Sequence, residues 1–257
     1  METLLKTSNV TMRFGGLRAV DDVNMQIRTG EIHALIGPNG AGKTTFFNVV
    51  SGIYVPTQGH VEFLGQDIIK LKAHQVTALG IARTFQNILL FDGLTVKENA
   101  MVGHHCRTNA TVLGSIFRTA RMRREEQQCN DKALEALAFV GLRDLADLPA
   151  CSLPYGKKRI LEIARALASD PKIIMLDEPC AGMNATEKDE LAHTVSRIRD
   201  SGVTVLLVEH DMRFVMGIAD YITVLDHGTK IAEGKPAEIM NNPLVIEAYL
   251  GKEDEGE

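Results

Sequence analysis

Hydrophobic and polar positions follow two patterns along the chain, and each predicts one kind of element. Short segments rich in apolar residues and bounded by turn residues predict strands. They lie at Val10–Arg13, Val23–Ile27, Ile32–Ile36, Gly59–Leu64, Ile173–Leu176, Val203–Val208 and Tyr221–Leu225. Apolar residues at helical spacing predict helices after Thr44, over Asp131–Val140 and over Glu187–Arg199.

The order of these elements indicates the fold class. Between the apolar runs Ile173–Leu176 and Val203–Val208 lies the helical stretch Glu187–Arg199. Strands that are continuously apolar are typical of a parallel sheet covered on both faces. From about Leu71 to Ala168 the pattern is mostly helical. We therefore expect an α/β protein with sheet-forming segments at both ends of the chain and a helical lobe between them.

The composition limits the classes of function. With 257 residues, 45% of them hydrophobic, the chain can form one large domain or one domain with an inserted lobe. A net charge of −5 disfavours general binding to nucleic acid. We see neither a signal segment nor an apolar run of the roughly 18 residues that cross a bilayer. The four cysteines, Cys106, Cys129, Cys151 and Cys180, lack CxxC spacing, which favours reduced thiols over zinc or disulfides.

The stretch GPNGAGKTT predicts a phosphate site. Gly37–Thr44 fits the pattern GxxxxGK[ST], with an apolar strand before it and a helix after it. The glycines let backbone N–H groups converge on phosphates, and the helix N-terminus adds positive potential. Lys43 would reach the β- and γ-phosphates, and the Thr44 hydroxyl would bind Mg²⁺. The residues assigned to this site are Asn39, Gly40, Ala41, Gly42, Lys43, Thr44 and Thr45.

Three polar residues follow two further apolar strands. Asp177 and Glu178 end one strand, and His210 follows the next strand. Because ligand groups gather at the carboxyl ends of parallel strands, we expect these side chains beside the phosphate site. Asp177 would hold Mg²⁺ through water, Glu178 would orient or deprotonate the attacking water, and His210 would bind the γ-phosphate.

Taken together, these motifs resemble the ATP-binding-cassette (ABC) ATPases over nearly the whole chain. The motifs stand in the family's order: the P-loop, Gln86 in ARTFQ, the signature LPYGKKRILEIARAL, LDEP, CAGMN and His210. The resemblance implies a P-loop core with a parallel sheet, an N-terminal antiparallel β subdomain and an inserted helical lobe. It also implies that Gln86 touches Mg²⁺, and that Phe14, followed by Val20, contacts adenine.

The resemblance implies a dimer as well. Two cassettes would sandwich two ATP molecules head to tail, with Tyr155, Gly156 and Lys157 of one cassette contacting the γ-phosphate held by the other. Two positions depart from the family pattern. Pro154 replaces a serine and so removes two phosphate donors, and Asn184 replaces an aspartate. Since Glu178 and His210 are retained, we still expect hydrolysis.

Several segments resemble the ATPases of branched-chain amino-acid importers, among them GIARTFQNILLFDGLTVKENAMVGHH and the closing NNPLVIEAYLG, and the RTFQ form with the long stretch after Val102 is the more specific part. This likeness implies two polytopic permease subunits, a second ABC ATPase (identical or a sister cassette) and, indirectly, a solute-binding protein. It implies a peripheral position on the cytoplasmic face of the inner membrane. We expect the core at 1–86 and 160–238, the lobe at 87–159, and a C-terminal helix with an acidic tail at 239–257.

Several alternatives remain open at this point. The solute could be an amide, urea, an aromatic acid or a lipid, and the chain could be a non-transport ABC protein or a nucleotide switch that only binds. The apolar residues Leu89, Leu90, Phe91 and Leu94 could form lobe core or a permease interface. The basic run Arg118, Arg121, Arg123 and Arg124 could be a solvated face or could contact anionic lipid. We assign no metal to His104 and His105, because adjacent residues point apart on a helix.

Overall fold

The computed structural model describes residues 2–104 and 120–250. The strands in these ranges are β1 Thr3–Phe14, β2 Leu17–Arg28, β3 Ile32–Ile36, β4 Gln58–Phe63, β5 Gln66–Asp67, β6 Ile81–Arg83, β7 Ile173–Asp177, β8 Thr204–Val208, β9 Tyr221–Asp226 and β10 Thr229–Gly234. The helices are α1 Lys43–Val50, α2 Ala73–Leu79, α3 Val96–His104, α4 Ala120–Phe139, α5 Tyr155–Leu167, α6 Ala185–Asp200, α7 Met212–Ile218, α8 Pro236–Met240 and α9 Pro243–Leu250.

The strands form two sheets, as the predicted fold class requires. The larger sheet has the order β10-β9-β3-β8-β7-β6, and all of its neighbouring pairs are parallel except β10 with β9. The smaller sheet, β2-β1-β4-β5, is antiparallel. Strands β3, β7 and β8 are buried at every residue, which explains why their sequences are uninterrupted apolar runs.

Three apolar clusters hold these layers together. One lies between the two sheets around α1, and its largest side chains are Phe46, Phe47 and Phe63. A second covers the other face of the parallel sheet with residues of α5, α6 and α7. The third is the core of the lobe, which α3, α4 and α5 build. Helix α5 contributes Ile163 to the second cluster and Leu161 and Ala164 to the third, so it joins the lobe to the sheet.

Some elements differ from the prediction. Strands β1 and β2 are longer than the predicted Val10–Arg13 and Val23–Ile27. Register shifts, with Asn9 and Asp22 at positive φ, interrupt the alternation of apolar and polar residues, so the sequence pattern covers only part of each strand. Strand β6 lies inside the stretch that has a mostly helical pattern. Strand β10, whose sequence TKIAEG has little apolar character, occupies a sheet edge.

Several predicted features concern the lobe and the tail. Leu90 packs on the lobe core, whereas Leu89 and Phe91 are about half exposed. Arg123 and Arg124 are exposed, while Arg118, the Arg121 side chain, His105, Cys106 and the acidic tail lie outside the described residues. Cys129, Cys151 and Cys180 are free thiols. Among the described helices, none combines the length and the apolar character needed to span a membrane.

Candidate functional site

The candidate site lies at one edge of the parallel sheet, where four neighbouring strands end. Asp177 of β7 pairs with Val208 of β8, and Arg83 of β6 pairs with Met175 of β7. On the other side, Leu35 of β3 also pairs with Val208. The segments that leave these strand ends are therefore the P-loop, the Glu209–Asp211 turn, the Glu178 turn and the segment containing Gln86. The structure brings together the residues that the sequence assigned to catalysis.

The P-loop (Gly37–Thr44) has a backbone that only glycine can follow at two positions. Gly42 has φ 95°, and a Cβ there would lie 2.3 Å from the carbonyl oxygen of Ala19 on β2. Gly37 has φ 150°, and its Cβ would lie 2.0 Å from the carbonyl oxygen of Leu225. The loop is thus wedged between β2 and β9, and α1 begins immediately after it at Lys43. This close packing fixes the direction in which the first N–H groups of α1 point.

Lys43 is a nearly buried cation within this loop. Its Nζ donates hydrogen bonds to the carbonyl oxygens of Gly37, at 2.7 Å, and Pro38, at 3.0 Å. Burial lowers the pKa of Lys43, whereas the negative charges of Glu178 and Asp177 oppose that shift. The lysine therefore lies between the loop carbonyls and the two acidic residues, in a position suited to an anionic ligand.

Asp177 is buried and paired with an arginine. Arg83 Nη2 lies 2.8 Å from Asp177 Oδ2, and Arg83 Nη1 donates to Asn48 Oδ1 at 2.7 Å and Ser51 Oγ at 2.8 Å. The guanidinium also lies over the rings of Phe47 and Phe85. Burial raises the pKa of Asp177, and the arginine opposes that shift by favouring the carboxylate. Arg83 therefore links α1, β6 and the end of β7.

Glu178 is the point at which the predicted catalytic side chains meet. Its carboxylate oxygen Oε2 accepts a hydrogen bond from Gln86 Nε2 at 2.9 Å and lies 3.9 Å from His210 Nδ1. The backbone is in the left-handed region at φ 46°, and its N–H donates to the Val208 carbonyl oxygen at 2.9 Å. Such a backbone is rare for a non-glycine residue and is frequent at functional sites.

A buried carboxylate supports the turn that carries His210. Glu209 Oε1 accepts from the Cys180 N–H at 2.7 Å, and Oε2 accepts from the N–H of His210 at 3.1 Å. Asp211 caps α7 by accepting from the Phe214 N–H, and it pairs with Lys188 at 2.6 Å. The strand ends of β7 and β8 are thus tied together beyond the last ladder hydrogen bond.

The other residues assigned to nucleotide binding differ in their exposure to solvent. Asn39, Gly40 and Thr44 are exposed, Gly42 and Thr45 are half-buried, and Ala41 is buried. Phe14 is 44% exposed and packs edge-on against Tyr54 at 5.5 Å between ring centroids. The Val20 side chain is fully buried in the core cluster that includes Ala41 and Phe46.

The signature segment (Leu153–Lys157) forms the start of α5. Tyr155 and Lys157 are exposed, whereas Gly156 is buried against Glu187, whose Oε1 would lie 2.5 Å from an added Cβ. Asn184 caps α6 in a reciprocal pair of hydrogen bonds with Glu187. Among the described residues, no hydrogen bond or ion pair joins Tyr155, Gly156 or Lys157 to the P-loop of the same chain.

Sequence reasoning missed four charged residues that shape this site: Arg83, Arg159, Glu162 and Glu209. Arg159 and Glu162 are fully buried and pair at 2.8 Å on α5. The available signal was a charge inside an apolar pattern. Arg83 ends a buried strand, and Arg159 and Glu162 lie three residues apart on a helix that carries apolar residues on two sides.

Comparison with protein families identifies two regions of the chain. The family described as ABC transporter matches residues 20–181. The family described as branched-chain amino acid ATP-binding cassette transporter matches residues 229–255, beyond β9. The first match contains the P-loop, Gln86, the signature segment, Asp177 and Glu178.

Curated relatives match over nearly the full length. The high-affinity branched-chain amino acid transport ATP-binding protein BraF of Pseudomonas aeruginosa is 44% identical over 250 residues, 97% of this chain and 98% of that protein. The protein LivG of Escherichia coli, described in the same words, is 44% identical over 252 residues, 98% of this chain and 99% of its own.

Solved structures agree in fold. The ADP conformation of MJ1267, an ATP-binding cassette of an ABC transporter, aligns with a TM-score of 0.86 and 33% identity, covering 98% of this chain and all of that one. A dimeric post-hydrolysis state of the cassette MJ0796 bound to ADP and Pi aligns with a TM-score of 0.76 and 26% identity, covering 91% of this chain and 99% of that one. With its P-loop, its matched family and its relatives in agreement, the chain belongs to the ABC transporter family of ATP-binding proteins.

Proposed function

We propose that this chain is the ATP-hydrolysing subunit of an importer for branched-chain or closely related amino acids. The observation that carries the proposal is the meeting of Gln86, Glu178 and His210 at the strand ends beside the P-loop. A chain that only bound nucleotide would not need this arrangement. The choice of solute rests on the names of the relatives and on the family matched by residues 229–255.

In the proposed mechanism the P-loop holds the phosphates. Its backbone N–H groups and the α1 N-terminus bind the phosphate oxygens, and Lys43 exchanges its loop carbonyls for the β- and γ-phosphates. The loop fits such a group, because the N-terminus of α1 and the cation of Lys43 lie together within it. Phe14 would cover the adenine, since its ring is exposed on the antiparallel sheet.

Thr44, Asp177 and Gln86 are the residues that would hold Mg²⁺. They supply hydroxyl, carboxylate and amide oxygens, which are the donors that this ion prefers. When bound, Mg²⁺ would neutralise charge that develops on the phosphates. Burial raises the pKa of Asp177, and the ion pair with Arg83 opposes that shift by favouring the carboxylate, the form that would bind a cation.

Glu178 would accept the proton of, or orient, the attacking water. Gln86 holds one of its carboxylate oxygens at 2.9 Å, which fixes the direction of the carboxylate. His210, 3.9 Å from the same oxygen, would donate a hydrogen bond to the γ-phosphate. Glu209 holds the backbone of His210 in place by accepting a hydrogen bond from its N–H.

The signature segment would contact the γ-phosphate of a second cassette. Its first helical turn carries Lys157 and Lys158 and no acidic residue. Cations at a helix N-terminus oppose the macrodipole, and a bound anion removes that conflict. Gly156 would donate its backbone N–H, which compensates for the donors that Pro154 lacks. This arrangement needs either a second copy or a sister cassette.

The groove between the sheet and the lobe would dock a permease. It has a volume of about 420 Å³, and exposed apolar side chains line it: Ile53, Phe85, Leu89, Phe91 and Val102. An apolar groove of this kind fits an amphipathic helix. We place the chain on the cytoplasmic face of the inner membrane, bound to two polytopic permease subunits that receive solute from a binding protein.

The decisive experiment is purification of the tagged chain from gently solubilised native membranes, followed by mass spectrometry. Two permease subunits and a cassette partner are expected. A matched purification of the Glu178→Gln chain should recover the same subunits while the complex loses ATP turnover and keeps ATP binding. Ribosomal proteins or a soluble partner without a permease would contradict the transport proposal, and turnover in Glu178→Gln would contradict the role of Glu178.

A further inference from the structure

The segment Phe85–Leu89, here called the linker segment, is attached to different parts of the molecule at its two ends. Just before it, the Thr84 N–H donates to the Met175 carbonyl oxygen of β7 at 2.9 Å, and Arg83 bonds to Asp177. Up to Thr84, therefore, the chain follows the parallel sheet.

From Phe85 onward the attachments pass to α5. Arg159 donates to the Phe85 and Gln86 carbonyl oxygens, each at 2.6 Å. Glu162 Oε1 accepts from the Leu89 N–H at 2.9 Å, and Arg165 Nη1 donates to the Leu89 carbonyl oxygen. Three side chains of one helix thus hold four backbone groups of a five-residue segment.

The clamp formed by Arg159, Glu162 and Arg165 is built from charges in an apolar setting. Arg159 and Glu162 have no exposed side-chain surface, and Arg165 Nη2 lies 3.6 Å from Glu162. A buried ion pair is a weak source of stability, since apolar residues of similar size often serve as well or better. Its directional hydrogen bonds, in contrast, fix the linker segment to α5 at a defined position.

The helix that carries the clamp begins at Tyr155, within the signature segment, and the clamped linker carries Gln86. Gln86 lies in the part of the chain that α5 holds, but its Nε2 donates a hydrogen bond to Glu178 Oε2, which follows strand β7 of the sheet. Because a helix moves as a rigid body, displacement of the signature end of α5 displaces the linker segment, while Thr84 and Glu178 stay with the sheet. Phe85 and Leu89 also line the apolar groove, so an occupant of the groove presses on the same segment.

We propose that Arg159 and Glu162 are positioning residues that set the alignment of Gln86 with Glu178 according to the position of the signature helix. This inference rests on the proposed function for its catalytic meaning. The bond between Thr84 and Phe85 is where the attachments of the chain change from the sheet to α5.

Hydrogen exchange of the full-length protein tests the clamp without any need for hydrolysis. In Glu162→Gln and in Arg159→Lys, the Leu89 amide is expected to exchange at least about 10-fold faster, while the Thr84 amide keeps its rate. The matched control is Glu135→Gln, because Lys132 and Glu135 form an exposed pair with the same spacing on α4. Equal acceleration at Thr84 and Leu89 would indicate general loosening and would overturn the proposal.

Turnover in the assembled transporter tests the catalytic part. Both clamp variants should lower kcat about 10-fold with KM for ATP within about twofold, because the nucleotide contacts are untouched. Arg159→Lys, which keeps the charge, should lose less than Arg159→Met. An unchanged kcat in a variant whose Leu89 amide exchanges faster would overturn the positioning role. If the permease fails to stimulate the wild-type chain, the proposed function fails and the exchange comparison alone decides the clamp.

Discussion

The P-loop and the signature segment both precede a helix N-terminus, yet the structure builds them in opposite ways. The P-loop is wedged between two strands, and its lysine is nearly buried and already hydrogen-bonded. In the signature segment, Pro154 is the N-cap residue of α5 and makes no side-chain capping hydrogen bond, and Tyr155 beside it is 47% exposed. Under the proposed function, the first region forms an anion site within one chain, whereas the second is a surface that a second chain would complete.

The largest effect is expected where the P-loop is wedged. Gly42→Val adds a side chain at φ 95° against the Ala19 carbonyl oxygen. We expect loss of about 2 kcal/mol or more in the free energy of unfolding and no measurable ATP binding. Thermal unfolding and titration with a fluorescent ATP analogue measure both. Gly30→Ala is the control, because Gly30 also has positive φ, 76°, but open surroundings. Equal losses in the two variants would contradict the importance of the wedge.

A substitution in the signature segment should separate binding from turnover. In Gly156→Ala the new Cβ meets Glu187 Oε1, the movable end of a side chain, so the fold is retained. ATP affinity of the single chain should stay within about twofold, and turnover of the assembled dimer should fall about 10-fold or more. The control is Gly217→Ala, another helical glycine with nothing within 4 Å. A parallel loss of ATP affinity in Gly156→Ala would mean that the signature segment acts within its own chain.

A smaller effect is expected from the cation of the signature segment. Lys157→Gln removes a charge that is exposed in the single chain, so ATP affinity of that chain should not change. Association of two ATP-loaded cassettes should weaken a few-fold at low salt, and the difference should fade at about 1 M salt because charges are screened. Sedimentation at two salt concentrations measures it. A difference that persists at high salt would indicate a shape effect instead.

The smallest effect should come from Asp67 on β5, a strand at the far side of the antiparallel sheet from β2. Asp67 Oδ1 accepts from the Ile69 N–H at 2.9 Å, which is the main reason that its pKa lies below the ordinary 3.8, with His60 adding to the shift. A depressed folded-state pKa stabilises the fold above the unfolded value and loses that contribution as the pH falls through the folded value. Asp67→Asn should therefore cost less than about 1 kcal/mol at neutral pH, and this cost should fade as the pH falls through the folded-state pKa of Asp67, which lies below 3.8. Chemical unfolding of both proteins across a series of acidic pH values checks it.

The sequence predicts the buried strands of the parallel sheet best. Strands β3, β7, β8 and β9 were predicted to within one residue at each end because burial on both faces leaves an unbroken apolar run. Strand β10 was not predicted, because an edge strand can be polar. The lengths of β1 and β2 were underestimated because bulges break the alternation on which a strand pattern depends.

The P-loop could be recognised because its chemistry lies within eight consecutive residues. The clamp and the Arg83 pair could not, because Arg159 bonds to a carbonyl 74 positions away and Arg83 to a carboxylate 94 positions away. One sequence contains the charges but not their pairing. Whether a buried arginine is compensated depends on which distant segment the fold brings beside it. The roles assigned to the individual site residues, including Phe14, Val20 and the signature residues, stay predictions.

The alignment of β3, β8, β7 and β6 also governs where the chain can change in length. The pairing register of these strands fixes the position of each functional group relative to those on the neighbouring strands. Inserting one residue in β7 would therefore turn Asp177 to the opposite face of the sheet and move Glu178 away from Gln86. The exposed turn at Gly65, which has open space around it, imposes no such count. Insertions, tags and reporter loops therefore belong in the exposed turn at Gly65, and the parallel strands tolerate only replacement.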